Sequence, residues 1–370
     1  MKLYFTRRNF LSTGIAALVA ARGLHGQSEA IPVAGVRVKT YGRRSTVALT
    51  HGPDRRKNVY DALVAIDDQI LPALKTKKRV LIKPNNVAVT NPLACTHADA
   101  LRAILDYLAP RFKGPITIAE SAAGDTWTGF RNFQYPEMIK EYAPRKIDLV
   151  DLNEEGKYVN QALLDQDIHM VPVHLAARIF DPDAFIISAA LLKSHNYVVA
   201  TLGVKNMVLG APLHSTTHAT EHFNFKVRYH AGYHVVHYNM LVTAQAMQPY
   251  WGLSVIDGYE GMEGNGPTSG TPVASRLAIA STDFIAADRV GIECMGIDPQ
   301  ALGYLRYCDQ VGLGNYDLAK IDVHGPLIAS VRKEYRLNSD VERQLTWRDP
   351  LDLQDGSWIG PHGRRTDRHK

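Results

Sequence analysis

Several polar and charged residues of this sequence follow directly on apolar runs of the kind that form buried strands. Lys83, Asn85 and Asn86 end one such run, Lys193 and His195 end a second, and Asp257 and Glu260 end a third. In open α/β sheets, ligands bind beyond the carboxyl ends of the strands. We therefore expect these side chains to meet in one site.

The lysines of this set, together with Lys205 ten residues after His195, indicate an anionic ligand. An ammonium group is rarely buried without a partner, so Lys83, Lys193 and Lys205 could hold a carboxylate or a phosphate through charge and hydrogen bonds. The alternative is that each lysine pairs with an acidic residue of the chain, for which Glu120 and Asp257 are the obvious partners. The residues predicted to bind the substrate are Lys83, Asn85, Asn86, Lys205, Asn206 and Glu260.

Imidazole and carboxylate groups in the same set could carry out acid–base chemistry. His195 or His230 would act as a general base or a metal ligand, because imidazole titrates near neutral pH. Asp257 would bind a divalent cation or orient the histidine. The predicted catalytic residues are Lys193, His195, His230 and Asp257.

A histidine-rich segment offers a second kind of site. His214, His218 and His222 recur at every fourth position, and on a helix they would share one face. Neutral imidazoles at that spacing could bind zinc or another divalent cation. The alternative is a solvated loop whose histidines make ordinary hydrogen bonds.

Other patterns exclude several classes of function. No G-x-G-x-x-G follows a predicted strand, so a dinucleotide site is not expected. Cys95, Cys294 and Cys308 lie far apart without a C-x-x-C pair, which argues against an iron–sulfur cluster. Cys294 and Cys308 could form a disulfide, although buried free thiols are the favoured interpretation. Of the net charge of +5, three units lie in residues 1–30, so the remaining basic excess is too small to indicate nucleic-acid binding.

The elements that must position these residues alternate between strands and helices. This order predicts an α/β fold with a mainly parallel sheet and helices on both faces; the order of the strands cannot be read from the sequence. Residues 153–180 show no regular pattern. The predicted strands are 46–50, 79–84, 115–120, 148–152, 186–192, 251–256, 275–280 and 320–323, and the predicted helices are 60–71, 97–108, 136–142, 232–247, 282–292 and 299–308.

The two ends of the chain differ from its centre. Residues 1–30 contain TRRNFL, which resembles a twin-arginine motif, and then an apolar run too short to span a bilayer. They predict export of the folded protein by the twin-arginine machinery to a periplasmic or extracellular location, with no membrane span in the mature chain. We expect one α/β domain at 31–330 and a charged, partly disordered extension at 331–370.

Several of these motifs also resemble one known family. LIKPN, LLKSHNYVVATLGVKNMVLG, VIDGYEGMEGNGPTSGTP and DFIAADRVGIECMG are similar, in this order, to motifs of the domain of unknown function 362 family, over roughly residues 78–325. Many members carry a ferredoxin-like segment that this sequence does not contain. The positions that the resemblance implies are Lys83, Asn85, Lys193, His195, Lys205, Asn206, His230, Asp257, Gly266, Pro267, Asp283 and Asp288.

Together these patterns favour an exported enzyme that acts on a small anionic substrate, with or without a divalent metal. A periplasmic protein that binds an anion or a metal without catalysis is the alternative, and a redox accessory protein is a third and weaker one.

Overall fold

The computed structural model describes residues 44–216, 220 and 222–349. The predicted export signal, His218 and residues 350–370 lie outside this part of the chain. Among the helices of the described residues, none combines the length and the apolar character needed to cross a membrane.

A ten-stranded sheet forms the centre of the described chain. A separate hairpin is formed by β5 and β6. The strands are β1 (Ser45–His51), β2 (Arg79–Lys83), β3 (Ile116–Glu120), β4 (Ile147–Asp151), β5 (Tyr158–Leu164), β6 (Met170–Ala176), β7 (Ala184–Ser194), β8 (Ala200–Thr201), β9 (Trp251–Glu263), β10 (Thr271–Val273), β11 (Leu277–Ser281) and β12 (Ile321–His324).

Helices connect these strands and cover the sheet. They are α1 (Arg55–Val64), α2 (Asp67–Leu74), α3 (Ala98–Arg111), α4 (Thr126–Asn132), α5 (Tyr135–Lys140), α6 (Leu152–Glu155), α7 (Gly203–Val208), α8 (Phe225–Tyr229), α9 (Tyr233–Met247), α10 (Phe284–Cys294), α11 (Gly303–Gln310), α12 (Ile328–Val331) and α13 (Val341–Leu345). Short 3-10 helices occur at Pro92–Ala94, Ala177–Phe180, Pro299–Ala301, Leu318–Lys320 and Thr346–Arg348.

The sheet is mainly parallel, as predicted. Its strands follow the order β12-β1-β11-β9-β7-β2-β3-β4. The neighbours from β9 through β7, β2 and β3 to β4 run parallel to one another, whereas β11 is antiparallel to both β9 and β1. Every residue of the central strand β7 is buried, which explains its unbroken apolar sequence.

Two hydrophobic layers separate the sheet from its helices, one on each face. Along β7, Ile186 and Leu192 belong to the layer that packs against α7, α9 and α10. Phe185 and Ile187 belong to the opposite layer, which packs against α1 and α3. Adjacent strand residues point to opposite faces, so β7 contributes to both layers, and the prediction of helices on both faces is confirmed.

Three elements differ from the predictions. The helix expected at 60–71 is two helices, α1 and α2. Residues 153–180 contain the β5–β6 hairpin, whose one-sided packing gives a mixed apolar and polar sequence. The strand expected at 251–256 continues to Glu263, where Gly258 and Gly261 let the side chains of Leu277 and Tyr335 approach more closely than a Cβ would allow.

The structured domain also continues beyond residue 330. Tyr335, Gln344 and Trp347 are buried against the rest of the chain. The Gln344 side-chain oxygen accepts a hydrogen bond of 2.7 Å from the backbone N–H of Val199. Residues 331–349 are thus part of the domain, and the boundary predicted at 330 is wrong.

Candidate functional site

A cavity of about 180 Å³ lies at the carboxyl ends of β2, β3 and β7. The sheet forms its floor, and the segment that contains α7 and α8 closes one side. Most of the groups that line it are polar or cationic. They include Lys83, Asn85, Asn86, Glu120, Ser121, His195, Asn196, Lys205, Lys226 and His230.

Lys83 and Glu120 form a buried ion pair at one side of the cavity. The Nζ atom of Lys83 lies 2.7 Å from Oε1 of Glu120, and both side chains are almost fully buried. Lys83 also donates to the carbonyl of Pro84 and to the Asn206 side chain. Glu120 accepts backbone N–H bonds from Asn86 and Ser121. Three acceptors satisfy Lys83 within the protein, so its charge is already paired.

Three further lysines surround the site without a carboxylate of their own. Lys193 donates to the carbonyl of Ala94, and Lys226 donates to the carbonyl of Gly210. Lys205 makes no hydrogen bond or ion pair with any residue that the structure describes. Burial lowers the pKa of Lys193 to about 8 and that of Lys226 to about 7, and burial with the nearby lysines holds the pKa of Lys205 well below its ordinary value.

Two asparagines line the cavity with polar atoms that have no partner among the described residues. These atoms are Oδ1 of Asn85 and Nδ2 of Asn86, and both are buried. Asn206 differs, because both ends of its side-chain amide have partners. Its oxygen accepts hydrogen bonds from the Lys83 and Asn85 side chains, and its NH2 group donates to the Lys83 carbonyl and the Ser188 hydroxyl. The unpartnered atoms of Asn85 and Asn86 are enclosed by the protein, with Nδ2 of Asn86 near Gly129, and Asn206 holds Lys83 and Asn85 in position.

His195 presents a fixed hydrogen-bond donor. Its Nδ1 atom accepts backbone N–H bonds from Tyr197 and Val198, at 3.0 and 3.3 Å. An imidazole nitrogen that accepts carries no proton, so the proton of the neutral ring is on Nε2. Burial, reinforced by the charge of Lys205, keeps the pKa of His195 well below its ordinary value. The ring is thus neutral and donates from Nε2.

His230 has the opposite tautomer. Its Nδ1 atom lies 2.7 Å from the carbonyl oxygen of Lys226, to which it must donate. The Nε2 atom of the neutral ring then has a free lone pair. Burial lowers the pKa of His230 to about 4. The two rings lie 6.3 Å apart between centroids and are inclined by 15°, so one donor and one acceptor stand side by side.

Local packing fixes the segment that carries Lys205. Asp288 accepts backbone N–H bonds from Gly203 and Val204, at 2.7 and 2.9 Å, where α7 begins. A Cβ at Gly203 would lie 2.9 Å from that carboxylate, and a Cβ at Gly210 would lie 2.4 Å from Nζ of Lys83. Both glycines are required for close approach, and Asp288 is a positioning residue for the site.

Asp257 and Glu260 lie outside this cavity, contrary to the prediction. They line a second cavity of about 170 Å³ together with Arg55 and His97. Oδ2 of Asp257 lies 3.2 Å from Nε of Arg55. The bridge between Asn86 and Cys95 separates the two cavities, because Asn86 lines the first and Cys95 the second. A partner on α1 was not visible in the sequence.

Lys193 is also not among the residues that line the lysine–histidine cavity. Its side chain is on the face of β7 opposite to Leu192 and points to the wall formed by Ala94. Its charge still lowers the pKa of both His195 and Lys205. Lys193 therefore influences the pKa values of the site although it does not line the cavity.

The described residues of the histidine segment are not helical. His214 pairs with Asn224 in an isolated β-bridge, and its two ring nitrogens face the carbonyls of Ser215 and Ala122. His222 is in a loop. A helical face was inferred from spacing alone, and the bridge overrides it. The metal site predicted from these histidines stays a prediction, since His218 lies outside the described residues.

Other possible ligand groups are sparse in the described residues. One group of three possible metal ligands has its ligand atoms within 4.8 Å of one another. It lies in the exposed β5–β6 turn and consists of Asp165, Asp167 and His169. Asp165 already accepts backbone bonds from the other two residues. Cys95, Cys294 and Cys308 are buried free thiols.

Lys226 is the site residue that the sequence reasoning missed. It lies four positions before His230 in KVRYH, so one short helix delivers both groups to the cavity. The signal was a lysine one helical turn before a predicted site histidine. It went unnoticed because Lys226 follows no strand.

The sequence matches one family over most of this site. The family described as Domain of unknown function (DUF362) matches residues 80–293, which is more than half of the chain. This range contains every residue of the cavity named above.

Comparisons with individual proteins give weaker likenesses. A thylakoid-associated protein of Synechocystis sp. is 28% identical over 246 residues, which is 65% of this chain and 70% of that protein. The lactate racemase apoprotein from Thermoanaerobacterium thermosaccharolyticum is 13% identical with a TM-score of 0.42, over 69% of this chain and 58% of that one. A protein from Thermotoga maritima is 10% identical with a TM-score of 0.39, over 70% of this chain and 60% of that one. The chain thus spans less than two thirds of either solved structure, and likenesses of this level carry no functional argument.

Proposed function

The chain belongs to the DUF362 family, and we propose that it catalyses proton transfer on a small carboxylate or phosphate compound bound in the lysine–histidine cavity. The excess of cationic groups around the cavity carries this proposal. Lys193, Lys205 and Lys226 form no ion pair among the described residues; Glu120, whose charge acts on all three, is already paired with Lys83, and Asp151 acts on Lys226 alone. Because unpaired buried charge is costly, the arrangement favours a ligand that brings negative charge.

The cavity has the components that anion binding needs. Lys226 lines it and would hold the charged group of the ligand, and Lys205 lines it as well. Asn85 and Asn86 line the same cavity and would form part of its polar wall. The ion pair of Lys83 with Glu120 would keep one wall rigid. An anion of a few carbon atoms suits a cavity of about 180 Å³.

The two histidines support catalysis rather than binding alone. His230 has a free lone pair at Nε2 and would act as the general base. His195 would donate from Nε2 to an oxygen on which negative charge develops, since its Nδ1 is occupied by the backbone. The low pKa values keep both rings neutral at pH 7, and each ring then has one role.

Hydrogen exchange in D2O tests this proposal. Small 2-oxo acids incubated with the protein should exchange the hydrogens next to the carbonyl, measured by the loss of their proton NMR signals. His230→Gln should lower the exchange rate by at least about a hundredfold, as is typical for loss of a general base. His234→Gln, at a half-buried position on α9 outside the cavity, is the matched control and should exchange at the wild-type rate. Equal rates for wild type and His230→Gln would refute the role of His230.

A non-catalytic periplasmic protein that binds an anion or a metal is the second candidate. The same lysine excess favours it, because anion binding requires the lysines but does not require His195 and His230 to carry their protons on different ring nitrogens. Calorimetric titration with inorganic phosphate and acetate, combined with elemental analysis of the exported protein, separates the two functions. Saturable binding without exchange of any 2-oxo acid would favour the binding protein.

We also propose export by the twin-arginine route, on the basis of Arg7 and Arg8 in TRRNFL. Replacement of both arginines by lysine should keep the full-length chain in the cytoplasm of a host that has this route. Arg22→Lys, outside the motif, is the matched control and should be exported and processed normally. Export of the double-lysine variant at the normal level would refute this route.

A further inference from the structure

Lys205 differs from the other lysines of the site in its lack of partners. Lys83 has three acceptors, Lys193 donates to Ala94 and Lys226 donates to Gly210. Lys205 makes no hydrogen bond or ion pair within the described part of the chain, although only 6% of the residue is exposed. Its side chain lines the same cavity as His195 and His230.

This environment favours a neutral amine. Burial is the largest effect that lowers the pKa of Lys205, and the charges of Lys193 and Lys226 lower it further. An ammonium ion without an acceptor is strongly disfavoured in such a place, whereas a neutral amine needs no counter-ion. A desolvated lysine next to other cations is a known form of activated nucleophile.

We infer that Lys205 forms a covalent imine with the carbonyl carbon of a 2-oxo acid. This inference rests on the proposed function, since it requires the cavity to bind an anionic substrate, and it narrows the substrate to an acid that also bears a ketone or aldehyde. Lys226 is the nearby cation that would hold the carboxylate. Lys205 would then be a catalytic residue.

The two histidines fit the steps of imine formation. The lone pair of Nζ forms the C–N bond while the π pair of the carbonyl moves to oxygen, which accepts a hydrogen bond from Nε2–H of His195. Nε2 of His230 takes one proton from the nitrogen and delivers it to this oxygen, which gives a carbinolamine. The C–O bond then breaks as the nitrogen lone pair forms C=N, and His230 passes the second amine proton to the departing hydroxide. One amine and one carbonyl are consumed, and one water is released.

Borohydride trapping with pyruvate tests this inference on the full-length protein. Reduction would convert the imine to a stable secondary amine and add to one peptide the mass of pyruvic acid less one oxygen atom. Peptide mapping should locate this mass on Lys205. The exposed Lys113 reports non-specific labelling, which should be at least tenfold lower.

Two variants and one competing ligand complete the experiment. Lys205→Arg keeps a long basic side chain but cannot form an imine, and it should abolish trapping. Acetate, which has the charge without a reactive carbonyl, should compete with pyruvate and reduce the labelling of Lys205. Trapping at Lys226 or Lys193 instead, or undiminished trapping in Lys205→Arg, would overturn the inference.

A further result separates this inference from the proposed function. If calorimetry detects acetate and pyruvate binding of equal strength but borohydride traps nothing, imine formation is refuted and the anion site stands. If neither acid binds and none is trapped, the proposed function fails as well.

Discussion

Replacement of Glu120 by glutamine should weaken the fold and strengthen anion binding at the same time. Glu120 is the carboxylate nearest to the lysines of the cavity, and it forms a buried pair with Lys83 at 2.7 Å. Glutamine keeps the shape of the side chain, but its single oxygen can replace only one of the two carboxylate oxygens that accept from Asn86 and Ser121. The substitution therefore removes the charge and one of these accepted hydrogen bonds.

The expected magnitudes follow from the burial of the pair. Removal of one partner of a buried ion pair typically costs about 3–5 kcal/mol, because the other charge is left uncompensated. For the ligand, a carboxylate about 8 Å from a bound anion at an effective dielectric constant of about 20 repels it by about 2 kcal/mol. Loss of that repulsion should lower the Kd by roughly thirtyfold.

Urea unfolding and calorimetry measure the two effects. The free energy of unfolding of Glu120→Gln should fall, while the Kd for phosphate at pH 7 should fall as well. The double variant Lys83→Met/Glu120→Gln is the matched control, since it removes both charges and should recover most of the lost stability. An exposed pair at Lys57 and Asp61 provides a second reference, where Asp61→Asn should change stability by less than about 1 kcal/mol.

Two results would refute this reasoning. A loss of less than about 1 kcal/mol for Glu120→Gln would mean that the pair is not buried as described. A weaker affinity for phosphate, with stability lowered as expected, would mean that Glu120 does not face the bound anion across the cavity.

Three further predictions concern the same cavity. Lys205→Met should raise the free energy of unfolding at pH 7 by about 1–3 kcal/mol in urea titrations, because it removes a buried amine without a partner, yet it should abolish borohydride trapping of pyruvate. The Kd for phosphate, measured by calorimetry, should rise between pH 7 and pH 9, because the pKa values of Lys226 and Lys193 are lowered to about 7 and about 8 and a neutral amine does not attract an anion. Lys226→Arg should flatten the part of this pH profile near pH 7. A wild-type Kd that does not change with pH would contradict the role of these lysines in anion binding. Nitrogen-15 NMR of histidine-labelled protein at pH 7 should show the proton of His195 on Nε2 and that of His230 on Nδ1, and the reverse pattern for either ring would contradict its proposed role.

The sequence was informative wherever a functional residue directly follows a buried strand. Lys83 and His195 could be selected because a charged or polar group after an apolar run is unusual, and Lys205 because it lies ten residues after His195; the structure brings these three to one cavity. The mainly parallel sheet was predictable for the same reason, since strands buried on both faces have unbroken apolar sequences. The same apolar run therefore predicted both a buried strand and the site residue at its end.

The prediction was wrong where tertiary contacts decided the outcome. Asp257 also ends an apolar run, but its strand continues to Glu263, and Arg55 from α1 pairs with it in another cavity. No pattern around Asp257 reveals that partner, which is some two hundred residues away in the sequence. The spacing of His214 and His222 suggested a helix for an equally local reason, and the bridge of His214 with Asn224 prevented it.

Substitution of the cavity residues can distinguish a ligand site from a structural network, because the two cases predict opposite changes in the free energy of unfolding. In a structural network each charge has a partner, as Lys83 has in Glu120, and removal of either one destabilises the fold. Lys205 lacks such a partner, so its removal should stabilise the fold while it impairs the site. A protein that keeps a buried amine at a cost in stability gains something from it other than stability. Glu120→Gln is expected to lower the free energy of unfolding and Lys205→Met to raise it. These opposite changes therefore test whether this cavity exists to bind and transform an anion, independently of which anion it is.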